Sequence, residues 1–152
     1  MMDKNTSLGF LNTQVMRLHK AIVADKLSAL GLTYGQLGFI MTALHHPGWN
    51  QEQLSLFLVV DKAATARAVA KLIKLNFLYR EENPENRREK LVYPTKKAEE
   101  IKKDLHEALQ AANQLMMSDL SQSEKEVLMK IMKRMIDTGR EFLGMSSIWQ
   151  IF

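Results

Sequence analysis

Four basic side chains carry the chemistry that this sequence suggests most clearly, the binding of a polyanion: Arg67, Lys71, Arg87 and Arg88. They lie in residues 61–97, where ten lysines and arginines stand against five aspartates and glutamates. The net charge of this quarter, +5, accounts for the whole excess of the chain, which is +4. Such a basic stripe is the electrostatic footprint of a nucleic-acid-binding surface. Charge alone fits a solvated face equally well, so the elements that carry these residues decide the interpretation.

Arg67 and Lys71 are predicted to lie on the second helix of a helix-turn-helix. Asn50 and Asp61 are good N-cap residues before two short helical stretches, QEQLSLFL and the segment from 62 to about 75. At 100° per residue the second helix has an apolar side and a basic side. The apolar side holds Thr65, Val69, Leu72 and Ile73, and the basic side holds Ala63, Ala64, Arg67, Ala70, Lys71 and Lys74. Small side chains let such a helix enter the major groove of DNA, where Arg67 and Lys71 reach base edges or phosphates and alanine methyls meet thymine methyls.

Arg87 and Arg88 are predicted to lie at the tip of a two-stranded β-hairpin. FLYRE and KLVYP read as strands, and ENPENRRE between them is rich in turn formers. Asn76 tolerates the left-handed conformation that ends the preceding helix, Pro94 suits a strand end, and Thr95 can cap the next helix. A hairpin directly after a helix-turn-helix is a wing, and arginines at its tip can enter the narrow, electronegative minor groove.

The chain on either side of this region is predicted to be helical. Apolar residues recur there at intervals of three and four, which lines one helix face, and the narrow face of the first helix suits packing against a partner helix. They are Leu8, Leu11, Val15, Leu18 and Ile22 before Gly31, then Ala98, Ile101, Leu105, Ala108, Ala112 and Leu115, and finally Val127, Ile131, Met135, Thr138 and Phe142. We therefore expect a mainly α fold.

Composition and motifs exclude several classes of protein. Cysteine is absent, which removes disulfides and thiolate metal ligands and suits a reducing cytosol. No apolar run approaches the roughly 18 residues of a membrane span, and the N-terminal residues lack a signal-peptide pattern, so we expect a cytoplasmic protein with no membrane partner. No phosphate loop, nucleophile motif or apolar carboxylate pair occurs, so we expect no enzyme activity and no cofactor. The four histidines show no H-x-x-x-H spacing, and no metal site is expected.

In combination these motifs resemble those of MarR-family winged-helix transcriptional regulators. The resemblance is strongest from Leu32 to Thr95. GLTYGQLGFIMTAL is similar to the start of the family's second helix, PGWNQEQLSLFLVVDKAATARAVAKLIKLNFLYR to its helix-turn-helix, and NPENRREKLVYPT to its wing. Several motifs fall in order at the right spacing, which makes the combination specific although each motif alone is weak.

The resemblance implies a homodimeric repressor that binds duplex DNA and is released by a small ligand. Residues 1–32 would be an N-terminal dimerisation helix, 33–95 a winged helix-turn-helix DNA-binding lobe with a two-stranded β wing, and 96–152 the C-terminal dimerisation helices, in one intertwined domain. Two recognition helices would lie roughly 34 Å apart and read a pseudo-palindromic operator. A small aromatic or amphipathic effector near the junction of the dimer and DNA lobes would change their spacing.

Further site residues are predicted from their position in the chain. Thr33 and Gln36 form a capping-box pattern at a helix start, and Lys62 starts the recognition helix. Because helix N-termini favour anions, we expect Thr33, Gln36 and Lys62 to contact DNA phosphates. A second set is placed near the effector by position and polarity alone: Arg17, His19 and His45.

The sequence departs from the family pattern at the wing, where asparagines replace the usual aspartates at positions 83 and 86. An aspartate there holds a wing arginine by a charged hydrogen bond, so Asn83 and Asn86 are expected to leave the wing arginines more loosely held. The other departures are Ala63, Ala64 and Ala66 for hydroxyl residues, Asn76 for glycine and Pro94 for leucine. They leave the operator sequence open but not the mode of binding.

An interaction module is the alternative to a DNA reader. A winged-helix protein–protein interaction or assembly module would have the same fold and little specific DNA affinity. It would not require basic residues on the exposed face of the second helix and at the wing tip, so this feature favours DNA.

Overall fold

The computed structural model describes residues 7–149, in which six helices and three short strands follow one another. The helices are α1 Leu8–Ala29, α2 Tyr34–His45, α3 Gln51–Leu58, α4 Lys62–Lys74, α5 Lys96–Met116 and α6 Gln122–Phe142, and the strands are β1 Trp49–Asn50, β2 Leu78–Asn83 and β3 Asn86–Pro94. The predicted mainly α fold with a winged helix-turn-helix is confirmed: α3 and α4 form the helix-turn-helix, and β2 and β3 form the wing.

The helix ends are set by the residues that the sequence indicated. Gly31 has a φ of +76° after α1, and the Leu32 N–H donates to the Leu27 carbonyl at 2.9 Å, which closes the helix end. Asp61 Oδ1 accepts a hydrogen bond from the Ala64 N–H at 2.8 Å at the start of α4. Asn76 has a φ of +62° after α4, so it replaces glycine at the position where a left-handed residue is needed.

The three strands form one antiparallel sheet in the order β1-β3-β2. Strand β1 pairs Trp49 with Val92 and Asn50 with Leu91, and the Gly48 N–H donates to the Val92 carbonyl at 2.8 Å. The predicted two-stranded wing is present, and β1 is an addition that no sequence pattern indicated. Two residues are too few to show the alternation by which a strand is recognised.

Helices α1, α2, α3, α4 and α5 and the sheet share one apolar core. Its members are buried, and they include Val23, Leu27, Ile40, Leu54, Val69, Leu72, Phe77, Val92 and Leu105. The buried face of α4 that the helical wheel predicted is correct, because Thr65, Val69 and Leu72 are fully buried. The core therefore fixes which side of α4 remains at the surface.

Substituting one core leucine tests this assignment of faces on α3. Leu54→Ala is expected to lower the free energy of unfolding by about 2–5 kcal/mol, because Leu54 is 0% exposed and truncation leaves a cavity. Leu56→Ala is the matched control, since Leu56 lies in the same helix and is 53% exposed, and its cost is expected to stay below about 1 kcal/mol. Urea denaturation at one protein concentration measures both, and equal costs would contradict the assignment.

The contacts divide the chain into two units, one up to Leu115 and one from Met116. The second unit contains α6, which starts with a capping box of Ser121 and Glu124. After α6 the chain turns back along the helix. Arg140 Nε donates to the Ser146 carbonyl at 2.7 Å, Ser147 Oγ donates to Asp137 at 2.9 Å, and Lys133 Nζ lies 5.4 Å from the centre of the Trp149 ring. Residues 150–152 lie outside the described residues, and the predicted boundaries at residues 32 and 95 remain predictions.

Helices α1 and α6 each expose apolar side chains that a single chain leaves uncovered. On α1 these are Leu8, Leu11, Val15, Leu18 and Ile22, and on α6 they include Val127, Ile131, Met135 and Phe142. Both sets match the faces predicted from their spacing. Continuous exposed apolar surface of this kind marks an interaction site. In the part of the chain that the structure describes, no single helix is long and apolar enough to cross a membrane, and α1 with α2 passes that test only as a pair bent by 71°.

Candidate nucleic-acid interface

Helix α4 presents a basic face opposite its buried one. Arg67, Lys71 and Lys74 are exposed, and Ala63 and Ala70 between them are exposed as well. Ala64, which was also predicted to contact DNA, is half-buried. The alanine side chains between the cations are small, so the wall of a DNA groove can approach the helix backbone closely.

The turn between α3 and α4 holds a valine in an unusual conformation. Val59 has φ and ψ of 54° and 47°, the left-handed region that β-branched residues rarely adopt. Two hydrogen bonds across the turn hold it: the Val60 N–H donates to the Ser55 carbonyl at 3.1 Å, and Ser55 Oγ donates to the Val60 carbonyl. The buried Ser55 therefore helps to set the direction in which α4 leaves α3. The sequence located the break but not its conformation.

The three predicted phosphate contacts at helix starts differ in their surroundings. Lys62 Nζ forms an ion pair with Glu52 at 2.8 Å, and this hydrogen bond lowers the pKa of Glu52. Both side chains are well exposed, so the pair is weak and a phosphate can replace the carboxylate. Gln36 is only 4% exposed, and its Oε1 accepts from the Thr33 N–H at 2.8 Å. The side chain of Gln36 serves to start α2, Thr33 itself is exposed, and a phosphate contact remains a prediction for both.

Side chains at the start of α5 form hydrogen bonds with the residues that follow α4. Lys97 Nζ donates to the Leu75 carbonyl at 2.9 Å and lies 4.1 Å from the centre of the Phe77 ring. Thr95 Oγ1 donates to the Asn76 carbonyl at 2.7 Å. These bonds satisfy carbonyls that a helix end leaves unpaired. Lys97 was missed by sequence reasoning, because its partner is a backbone atom 22 residues away.

The wing presents two arginines without acidic partners. Arg87 and Arg88 are exposed, and neither forms an ion pair with any residue from 7 to 149. The neighbouring Lys90 does, with Glu82 across the wing at 2.7 Å. Two cations at the tip of a hairpin are therefore available to an anionic partner.

The asparagines that replace the family's aspartates bind the backbone of the wing turn. Asn83 Oδ1 accepts from the Glu85 N–H at 3.0 Å, and Asn86 Oδ1 accepts from the Arg88 N–H at 3.3 Å. In these bonds the side-chain oxygens of Asn83 and Asn86 accept from backbone N–H groups and not from an arginine side chain. The Nδ2 atom of Asn83 donates to Glu89, which also accepts from Asn50, and this contact of the wing was not foreseen from the sequence.

The sequence and the structure of the chain are both similar to those of known proteins. The sequence model of the MarR family matches residues 32–90, which span α2 to most of the wing. YybA of Bacillus subtilis (strain 168), described as an uncharacterized HTH-type transcriptional regulator, is 28% identical over 105 residues, which cover 69% of this chain and 70% of YybA. A crystal structure of MarR superposes with a TM-score of 0.84 at 28% identity and covers 95% of this chain and 98% of MarR. Together these matches support a MarR-family winged-helix regulator. The chain is accordingly a DNA-binding transcriptional regulator, and its relatives are regulators and not enzymes.

Two solved structures of this MarR fold contain partners. A cysteine-to-serine variant of MarR from E. coli, complexed with operator DNA, has a TM-score of 0.79 at 23% identity and covers 88% of this chain and 99% of that one. PcaV from Streptomyces coelicolor, in complex with its natural ligand, has a TM-score of 0.80 at 20% identity and covers 91% of this chain and 98% of that one. At these identities the likeness is one of fold.

The three residues predicted to face an effector have different neighbours in the structure. His19 Nδ1 lies 3.0 Å from the Tyr34 hydroxyl, and burial raises the pKa of Tyr34. The His45 ring packs edge-on against the His106 ring at 5.3 Å, and Arg17 is exposed on α1. A shared pocket for Arg17, His19 and His45 thus remains a prediction.

A separate groove of about 410 Å³ lies between α1 and α5. Lys26 and Leu30 line it on one side and Asp104 and Glu107 on the other, and none of the three predicted effector residues contributes to it. The groove is a second place to look for a ligand.

Proposed function

We propose that this MarR-family regulator is a homodimeric repressor that binds a pseudo-palindromic operator and is released by a small ligand. One observation carries the proposal, the exposed basic surface formed by Arg67 and Lys71 on α4 and by Arg87 and Arg88 on the wing. None of the four has an acidic partner among residues 7–149, so each is available for DNA. A protein–protein interaction module would not require exposed basic residues at these four positions.

Each half of the operator is contacted in two grooves. Helix α4 enters the major groove, where Arg67 and Lys71 contact bases or flanking phosphates and Ala63 and Ala64 allow a close approach. The wing places Arg87 and Arg88 in the adjacent minor groove. Thr33 and Lys62, at the starts of α2 and α4, contact phosphates and set the register of the protein on the duplex.

A second copy of the chain covers the exposed apolar faces of α1 and α6. The two faces span residues 8–22 of α1 and 127–142 of α6, and their apolar residues recur at intervals that suit helix–helix packing. A two-fold dimer presents two copies of α4 to two half-sites one DNA turn apart, which explains why the operator is a pseudo-palindrome. Residues 1–32 and 96–152 are the dimerisation parts of this proposal, and 33–95 is the DNA-binding lobe.

A small aromatic or amphipathic ligand releases the DNA by changing the distance between the two DNA-binding lobes. The ligand complex of PcaV, which has this fold, supports the idea of an effector. The bonds from Thr95, just before α5, and from Lys97 in its first turn to the two residues that follow α4 support the coupling, because they pass a movement of α5 to the recognition helix. Arg17, His19 and His45 are the predicted ligand contacts, and the cytoplasm is the proposed location.

Arg67→Ala tests the proposal at the recognition helix. Binding to a duplex from the region upstream of the gene is measured by fluorescence anisotropy beside a scrambled duplex of equal length. We expect about tenfold weaker binding to the upstream duplex and a smaller preference over the scrambled one, as for an arginine that reads a base.

The matched control for Arg67→Ala is Lys103→Ala, which removes one positive charge from α5. It is expected to leave both affinities within about twofold of the wild type. An Arg67→Ala variant that binds as the wild type does would remove α4 from the interface and favour the interaction-module alternative.

A further inference from the structure

We propose that Glu89 is a positioning residue that fixes the wing relative to the helix-turn-helix and thereby sets where Arg87 and Arg88 meet DNA. The inference rests on the proposed function, because it concerns the placement of the wing arginines. Glu89 lies on β3 directly after Arg88, and it is half-buried although it is charged. A half-buried carboxylate beside a DNA-binding surface needs a physical reason, since its charge opposes that of the surface.

The two oxygens of Glu89 join two separate elements. Oε1 accepts a hydrogen bond from Asn50 Nδ2, and Oε2 accepts one from Asn83 Nδ2. Asn50 is the N-cap of α3 and the last residue of β1, and Asn83 is the last residue of β2 at the tip of the wing. A single side chain thus connects the helix-turn-helix to the wing tip.

The orientation of both amides is fixed by a second hydrogen bond. Asn50 Oδ1 accepts from the Gln53 N–H at 2.8 Å, and Asn83 Oδ1 accepts from the Glu85 N–H at 3.0 Å. Turning either amide over would break its bond to the backbone, so both NH₂ groups face position 89. Two donors that converge there from different elements suit a carboxylate, which has two acceptor oxygens, whereas a neutral amide has one oxygen and one NH₂ group.

The connection lies where the sheet gives the wing no other support. Strand β1 ends at Asn50, opposite Leu91, so the residues of β3 before Leu91 have no paired strand on that side. The ion pair of Lys90 with Glu82 joins the two wing strands to each other and not to α3. The charge-assisted bonds of Glu89 span this gap, and such bonds are stronger than neutral ones.

The pair also explains why asparagine stands at position 83. An aspartate there would place a second carboxylate against Glu89, and like charges at hydrogen-bond distance repel. Asn83 and Glu89 are therefore a matched donor and acceptor. This match can be tested by exchanging the donor and the acceptor.

Glu89→Gln turns one acceptor into a donor that faces the Asn83 amide, and it is expected to weaken binding to the upstream duplex by about five- to tenfold. Electrostatics alone predicts the opposite, because the variant removes a negative charge near the phosphates. Asn83→Asp is expected to weaken binding as well, because its new carboxylate faces that of Glu89.

The double variant, Asn83→Asp with Glu89→Gln, restores the match with donor and acceptor exchanged. The glutamine introduced on β3 accepts from Asn50 through its oxygen and donates through its NH₂ group to the aspartate introduced on β2. Affinity is therefore expected to return to within about twofold of the wild type, although a carboxylate has been added to the Glu89→Gln protein.

Two results would overturn the proposal: binding by Glu89→Gln as tight as by the wild type, or a double variant no better than the weaker single one. The effect must also depend on the wing arginines. When Arg87→Ala and Arg88→Ala are present, Glu89→Gln is expected to change affinity less than about twofold, and a full effect there would contradict a positioning role.

Hydrogen exchange of the Glu85 amide provides a readout without DNA. We expect faster exchange in Glu89→Gln than in the wild type, with protection regained in the double variant. Unchanged exchange would overturn the positioning role even if the protein binds no operator. A wild-type protein that fails to prefer the upstream duplex, yet shows this exchange pattern, would refute the proposed function and leave the role of Glu89 in the wing intact.

Discussion

Replacing Arg87 and Arg88 together with alanine is expected to weaken binding to the upstream duplex by about 100-fold at physiological salt. Two arginines in each protomer give four in a dimer, and a loss of about 0.7 kcal/mol for each corresponds to this factor, which is the size expected for exposed charge contacts. The slope of log affinity against log salt becomes shallower as well, since fewer counterions are released. Fluorescence anisotropy across a salt series measures both quantities, and dimerisation is expected to be unchanged.

The control for the wing variant removes the same charge elsewhere. Lys20→Ala with Lys103→Ala takes two cations from exposed positions on α1 and α5 and is expected to change affinity only slightly. Equal losses of affinity in the wing variant and in this control would mean that the wing arginines act only through net charge. A wing variant that binds as the wild type does would mean that the wing has no role in DNA binding.

Val15→Glu is expected to dissociate the homodimer and to weaken operator binding by more than about 100-fold. Val15 is 51% exposed in the middle of the apolar face of α1. In a two-fold dimer the variant would bury two carboxylates without partners, which is strongly unfavourable. A monomer binds each half-site separately and loses the gain in effective concentration that links the two recognition helices. Analytical ultracentrifugation reports the mass, and anisotropy reports the DNA affinity.

Ala24→Glu is the matched control on the same helix. Ala24 is exposed outside the apolar seam of Leu11, Val15, Leu18 and Ile22, so the same added charge is expected to leave the dimer intact. A Val15→Glu protein that remains dimeric would show that α1 does not form the interface. If it becomes monomeric and keeps its operator affinity, the pseudo-palindromic mode is wrong.

The features that could be predicted from the sequence depend on local patterns. The buried and basic sides of α4 follow from residues three and four apart, and the cap by Asp61 follows from one side chain and the N–H three residues later. The wing followed because turn formers and alternating apolar residues lie close together in the chain. In each case the deciding interaction falls within one helix or one hairpin.

The features that were missed depend on residues that are far apart in the chain. Strand β1 is defined by pairing with β3 some forty residues later, and Glu89 is defined by Asn50 and Asn83 together. Gln36 is a different case: its capping role was foreseen, whereas its burial depends on the tertiary core, and the phosphate contact predicted for it remains a prediction. The positions of Arg67, Lys71, Arg87 and Arg88 at the surface agree with the prediction, whereas their contacts with DNA remain proposals.

The measurement that tests the central claim most directly is the affinity of the purified protein for its own upstream duplex and for a scrambled duplex across a salt series. A specific DNA reader is expected to bind the upstream duplex at least about 1,000-fold more tightly at physiological salt, with affinity falling steeply as salt rises. Weak and equal binding to both duplexes would contradict the account, because the basic surface of α4 and the wing would then carry no sequence recognition.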